Sequence, residues 1–343
     1  MGKNLYASVT GISDPLAITV STSHSASTAS ATIQCINPTV SIGDLITIDL
    51  GYTTSHGQIF KGYIKNIVRQ VPDNIYTVMA KDVLIRAVDF FIVPTNPDEG
   101  YSQSNITAED LIEDILNMAG LTSYSGDNSA FTFATKSGNK VEVKLTSAYD
   151  FCKLIADLLA WQVWADENGT VHFKNRKPRI MDGTSGQVGD PPGGVPDSPV
   201  ATITDSNIFD FIYTESERDL RNRVVVHGAE GVYAESKSGT SYNPVTDAME
   251  QILPVGYYKS MALVSPIIDS DSMAEAATDY NLDMYNRLTV SIQAQVEGSH
   301  LYLARKTLTV NEIITGINRD FYVFLSEHAW SKNGYTCNLE LRI

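Results

Sequence analysis

Residues 45–50 read LITIDL, and this stretch decides the fold class. In an extended chain Ile46, Ile48 and Leu50 fall on one face, and Thr47 and Asp49 on the other. Residues 63–70 (YIKNIVRQ) alternate again, with Ile64 and Val68 opposite Lys65 and Arg69, and residues 75–80 (IYTVMA) form a third run. Turn residues separate them: Gly51 to Gly57, then Pro72-Asp73-Asn74. A period of two at this short spacing is the pattern of half-buried antiparallel strands in a barrel or sandwich. Residues 21–32 (STSHSASTASAT) are rich in Ser, Thr and Ala and read as a polar strand or loop arm.

Beyond Pro94 and Pro97 the period changes. Thr107 and Asp110 form a capping box, and Leu111, Ile112, Ile115, Leu116 and Ala119 make one apolar helix face closed by Gly120. A hairpin is expected near Gly126–Val143. A second capping box, Ser147 to Asp150, opens a helix carrying Phe151, Leu154, Ile155, Leu158 and Leu159. Trp161 to Ala165 and Thr170 to Lys174 read as strands around the turn Asp166-Glu167-Asn168-Gly169, since Asn-Gly tolerates the backbone of a tight hairpin. Residues 182–199 are a Gly/Pro-rich loop. Ile203 to Tyr213 and Arg223 to Gly228 read as strands. Ser272 and Glu275 open a third helix with Met273, Ala277, Tyr280 and Met284 on its stripe. From Leu288 to Ile343 the alternating pattern returns.

The chain has 343 residues, 43% hydrophobic and 19% charged, enough apolar material for packed cores. Forty acidic residues against 25 Lys plus Arg give a formal charge of −15. That excess argues against a protein that coats duplex nucleic acid and against electrostatic docking on an anionic membrane. No run of about 18 apolar residues occurs, so no transmembrane helix is expected, and the N-terminus lacks the basic start and apolar core of a secretory signal. Cys35, Cys152 and Cys337 are scattered and odd in number, which speaks against a disulfide framework or a cysteine zinc site.

The sequence carries no catalytic constellation above background. Asp269 and Asp271, and Asp98, Glu99, Glu109, Asp110, Glu113 and Asp114, surround helix starts, where acids complement the macrodipole. Read as a carboxylate pair, they would suit glycosidase chemistry. Asp166–Gly169 lacks the further ligands of a calcium loop. The six histidines, His24, His56, His172, His227, His300 and His328, show no metal-ligand spacing, and no nucleophile elbow or phosphate loop occurs. Cys152 follows Phe151 on a buried helix face and reads as an inert core thiol. Trp161 and Trp164 are either core or a glycan-binding platform, with core favoured for at least one of them. Accordingly no catalytic, cofactor or metal residue is assigned, and no enzymatic activity is expected.

Taken in order, several segments resemble the baseplate hub proteins of contractile phage tails, the late-control or tail-hub group. The first set is GDLITIDLGY (43–52), IFKGYIKNIVRQ (59–70) and YTVMAKDVLIRAV (76–88), which runs into Asp82. ITAEDLIEDILNMAGL (106–121) and TSAYDFCKLIADLLAWQVWADENGTVHF (146–173) are similar to the family's helix pair and hairpin. RNRVVVHG (221–228) and the closing FYVFLSEHAWSKNGYTCNLELRI (321–343) follow. Residues 10–40, 182–199 and 229–268 match poorly.

The resemblance implies a β-rich α+β chain with two tail-tube-like antiparallel β-barrel domains, residues 1–92, then 200–230 joined to 287–343. An α/β domain (93–180), a Gly/Pro-rich loop (181–199) and a smaller insertion with one helix (231–286) complete the expected organisation. It implies a structural, non-enzymatic hub of the virion tail baseplate, made in the host cytoplasm. A homotrimeric ring would join the six-fold tail tube, or a tube-terminating adaptor, to a three-fold tail spike, and would contact baseplate wedge proteins. DNA would only pass through the lumen during genome ejection, and no stable membrane association or cofactor is implied. At this size no appended lysozyme or spike is expected. If the acidic excess lines the lumen, it would repel the passing phosphates. The alternatives are the hub of a phage-derived injection device such as a tailocin, a tail-associated cell-wall hydrolase, and a glycan-binding tail protein.

Overall fold

The computed structural model of the chain describes residues 4–93, 101–129, 131–135, 138–175, 198–246, 248–314 and 316–343. The first six strands are β1 (Leu5–Val9), β2 (Pro15–Ser23), β3 (Ser30–Ile36), β4 (Leu45–Tyr52), β5 (Ser55–Gln70) and β6 (Ile75–Asp82), paired antiparallel in the order β1-β4-β5-β6-β3-β2. The alternation seen in the sequence is the alternation of burial: Ile46, Ile48 and Leu50 are fully buried, as are Ile33 and Val78 on β3 and β6. The arm at 21–32 splits into the end of β2, a turn, and the start of β3, with Val20 and Ala31 turned inward and Thr19, Ser21 and Thr32 outward.

The middle of the chain holds α1 (Ala108–Met118), α2 (Ala148–Leu158) and the hairpin β7 (Gln162–Ala165) and β8 (Val171–Lys174). Thr107 Oγ1 accepts from Asp110 N at 3.2 Å and Ser147 Oγ from Asp150 N at 3.0 Å, so both expected caps form. The expected hairpin at Gly126–Val143 does not. Tyr124–Gly126 runs parallel beside β8, Thr132–Phe133 pairs with Ile106–Thr107, and Val141–Val143 pairs with Tyr101–Gln103. Its apolar residues Phe131, Phe133, Val141 and Val143 bury against the two helices instead of facing each other. Leu154, on the expected apolar face of α2, is 40% exposed.

The loop expected at 182–199 lies outside the described residues up to 197; then come β9 (Ala201–Thr204) and β10 (Ile208–Ser216), separated by a 3₁₀ turn at Asp205–Asn207 where the sequence suggested one strand. Then follow β11 (Arg223–His227), β12 (Tyr233–Lys237), β13 (Ser260–Val264) and α3 (Asp271–Tyr285). Strand β11, expected within the second β domain, lies between β12 and β13 in a small separate sheet, where Val224 and Val226 are fully buried and Val226 joins the core that contains α3. Ser270, not Ser272, caps α3: its Oγ accepts from Met273 N at 3.4 Å, so the helix starts earlier than the capping-box pattern suggested. The chain closes with β14 (Thr289–Glu297), β15 (Thr307–Glu312), β16 (Ile317–Ser331) and β17 (Gly334–Arg342).

Strands β9, β10 and β14–β17 form a second group of six, and the two groups are one sheet. The 15-residue β16 is long enough to serve both: Thr307↔Tyr322 tie it to β15, while Ser23↔Leu325 through Ala17↔Ser331 tie it to β2. One core follows from one sheet. Phe60, Ile64 and Val78 from the first group pack in the same cluster as Ile292, Phe321, Val323 and Leu341 from the second. A second core joins α1, α2 and the β7–β8 hairpin to Val226, Ile268, Met273 and Ala277, so the α/β region and the small insertion bury their apolar faces on each other.

Candidate functional site: the open face of the shared sheet

A sheet with one buried face leaves the other face to water or to a partner. Here the open face runs without interruption from β3 across β2, β16, β17 and β14 to β10, because the β2–β16 pairing keeps the pleat in phase. Successive open-face neighbours are Gln34↔Thr77, Thr32↔Thr19, Thr19↔Ala329, Ala329↔Thr336, Asn338↔Gln295 and Gln293↔Ile212. The opposite pleat holds Val20↔His328 and His328↔Cys337, which are buried. The open wall is thus made mostly of short polar side chains. Its charges are Glu327 beside Ser21, Asp210 beside Gln295, Glu297 beside Thr336, and Glu340, which accepts from Arg342 Nε at 2.7 Å. Arg342 also lies 3.6 Å over the Phe324 ring, which stacks on His24. Chemically this surface can hydrogen-bond with water over a wide area and offers no cluster of cations for phosphate.

The sheet ends at β1 and at β10, and β9 is a third edge. Around β10 several apolar side chains are uncovered. Phe209, on a bulge in β10, is 62% exposed and Ile212 is 52% exposed. Ile313 and Ile314, in the loop between β15 and β16, are 79% and 94% exposed, and Ile313 N is tied to Asp205 Oδ1 at 3.2 Å beside the start of β10. Unpaired strand edges with exposed apolar side chains are what natural proteins cover by assembly.

Among the described residues, those considered for catalysis do not assemble into a reactive centre. Asp98 and Glu99 lie outside the described residues. Glu109, Asp110, Asp150 and Asp271 occupy first helical turns. Glu109 accepts from Ser129 Oγ at 2.9 Å, Asp114 from Tyr101 at 2.6 Å and Asp269 from Asn139 at 2.6 Å. Asp166 Oδ1 accepts from Asn168 N and Thr170 N at 2.9 and 2.8 Å, and Oδ2 meets His172 Nε2 at 2.9 Å, so the carboxylate builds the hairpin turn. Burial opposes its charge, yet His172 and the two amides hold it below the ordinary carboxylate range. Among the described residues no group of three His, Cys, Asp or Glu is placed to hold a metal ion.

A Cys–His contact missed in the sequence does exist: Cys337 Sγ is 3.2 Å from His328 Nδ1, which also meets Tyr335 OH at 2.7 Å. The pair sits inside the sheet core, Cys337 at 0% and His328 at 1% exposure. Burial pushes the thiol up to about 12 and the imidazole down to about 4, the reverse of what a thiolate nucleophile needs. Alternation along 328–337 could have shown that the two share the inner pleat. Cys152 is fully buried, and its thiol is raised by burial. Trp161 and Trp164 are both buried, at 4% and 9% exposure, and Trp164 stacks on His172, so neither presents a platform to a glycan.

These buried groups set an expected pH response. Burial, with Arg305 adding to it, holds His24 down at about 3, and His328 lies at about 4. Both rings stay neutral in the folded chain, whereas unfolding lets them protonate below the ordinary value of 6.5. Their contribution is full above pH 6.5 and is lost as pH falls towards 4. Asp82 has the opposite sign. Burial raises it from 3.8 to about 7, so its cost grows as pH rises from about 4 through 7. Urea midpoints across this range should show H328Q flattening the acid limb and D82N flattening the neutral limb. Two profiles parallel to wild type would contradict the assignment.

No family model matches the chain, and no curated protein matches it in sequence. Solved structures do match its fold. A tail protein from Neisseria meningitidis MC58 aligns with a TM-score of 0.65 at 13% identity, over 99% of this chain and 97% of that one. The 43 kDa tail protein of prophage MuSo2 from Shewanella oneidensis aligns at 0.62 and 11%, over 99% and 96%. The E. coli c3393 protein, a component of the type VI secretion system with structural similarity to the T4 phage tail proteins gp27 and gp5, aligns at 0.55 and 10%, over 98% and 76%. The chain therefore has the β-rich fold found in phage tail proteins.

Proposed function

We propose that the chain is the structural hub of a phage tail baseplate: three copies close into a ring that joins the six-fold tail tube to a three-fold spike. The observation that carries this reading is the single sheet built from two groups of six strands. Two such units per chain make six around a trimer, which suits the symmetry on the tube side while the three chains suit the spike. The likeness to tail proteins over nearly the whole chain supports the same reading. In it the sheet's open face, with β2 and β16 at its middle, lines the channel. That wall is short and polar, and its charges are mainly the carboxylates Asp210, Glu297, Glu327 and Glu340, with Arg342 beside the last. Passing DNA would meet few cations to which it could adhere. The ring would reside in the virion tail, contact the spike, the tube or its adaptor, and wedge proteins, and catalyse no reaction. The likeness to the secretion component fits the same ring in an injection device of phage descent, a tailocin included.

Ring closure would cover the β10 edge with the neighbouring copy. Sedimentation velocity on the purified chain is expected to give a trimer. Phe209→Asp combined with Ile314→Asp should yield a folded monomer, since burying each new carboxylate at such an anchor costs about 2 kcal/mol or more. A trimer that persists in the double variant would place the interface elsewhere. A chain that stays monomeric in isolated tail particles would overturn the hub.

A further inference from the structure

The structure assigns a binding site for a small oxyanion of phosphate size to the cavity between β5, the β7–β8 hairpin and the 303–306 loop. The cavity measures about 130 Å³, room for roughly four waters at ~30 Å³ each or for one tetrahedral anion with water beside it.

Its walls are unbalanced in charge. Lys61, Lys174, Arg305 and Lys306 face Asp82, Asp166 and Glu167. Each acid is already engaged. Asp82 accepts from Ala29 N at 2.5 Å and Leu84 N at 2.9 Å, Asp166 is held by its turn and His172, and Glu167 lies 3.9 Å from Lys306. Lys174 pairs with Asp127 at 3.6 Å. Two of the four cations have no ion-pair contact: among the described residues no carboxylate lies within 4.0 Å of Lys61 or Arg305.

Arg305 is 4% exposed. Its Nε donates to Gln162 Oε1 at 2.9 Å and its Nη2 to Ser23 O at 2.9 Å, and Nη1 has no hydrogen-bond partner among the described residues. A buried guanidinium with no carboxylate in contact is costly, and an oxyanion in the adjoining cavity would touch it directly. Asp82, raised to about 7 by burial, attracts Arg305 without an ion-pair contact and is only half ionised at that pH. Trp164 lines the same cavity, with Arg305 5.3 Å from its ring centroid, and reports on the site by fluorescence.

The test is titration of the full chain with inorganic phosphate at constant ionic strength against chloride, read by calorimetry and Trp fluorescence. The expected result is saturable binding of one phosphate per chain. Lys61→Met keeps the packing stem, so it should fold as wild type and weaken binding about tenfold. Glu167→Gln frees Lys306 from its partner and should tighten binding. No saturable binding, or an affinity that neither variant changes, would overturn the site. The hub reading does not depend on either outcome.

Discussion

Gly62→Val is expected to abolish cooperative folding of the chain. Gly62 lies on β5 opposite Asp82 of β6. A Cβ placed there would stand 2.1 Å from Lys81 O and 2.7 Å from Asp82 Cα. Both are backbone atoms of the paired strand, so no rotamer change relieves the clash and the two strands must part. Overpacking of this kind costs roughly 1–3 kcal/mol for ordinary insertions and more where backbone blocks it. A typical domain has only about 5–15 kcal/mol to lose. The damage also spreads, because Asp82 is pinned by the amides of Ala29 and Leu84 and sits under the α/β region. Gly62→Ala should already lower the urea midpoint sharply. An unchanged midpoint for the alanine variant would show that β5 and β6 are not packed as described.

Arg305→Ala is expected to loosen the α/β region from the sheet, at a cost of about 3 kcal/mol. One guanidinium ties three parts of the chain together: Gln162 of β7, the Ser23 and His24 carbonyls at the end of β2, and its own loop before β15. The Gln162 amide in turn meets the His24 ring. Truncation leaves these acceptors buried and unpaired, which costs more than the lost bonds gain. Arg305→Lys should not rescue the loss, since a point charge cannot span carbonyl and amide as the planar fork does. Hydrogen exchange should quicken first in Gln162–Lys174 and Ala17–Ser23. Protection equal to wild type there would contradict the role given to Arg305.

Much of the fold was legible because it is written in period. The LITIDL run, the β6 run and the closing strands alternate, and the structure buries the alternate residues in them. Thr107 and Ser147 were legible because a cap is a local bond. What sequence could not give was long-range choice. Nothing in RVVVH distinguishes the large sheet from the small one, since Val224 and Val226 would be buried in either. The strands near 124–143 are two or three residues long, too short to show a period. The join between β2 and β16 links residues about 300 apart in sequence, and nothing local to either strand marks it. The candidate site was illegible for the same reason. Ser, Thr, Gln and Asn in strands look like ordinary solvent-facing residues until the register sets them side by side across both halves of the chain. The cavity cations Lys61 and Arg305 come from opposite ends of the sequence and carry no shared motif.

In the proposed hub, three chains would close into a ring around a channel walled by the open sheet face. Single-particle imaging of the chain, alone and in isolated tail particles, tests it most directly. The account predicts a three-fold ring with a central opening, with β2 and β16 of each copy facing that opening. A two-fold or solitary particle in both preparations, or a ring whose open sheet faces point outward, would contradict it.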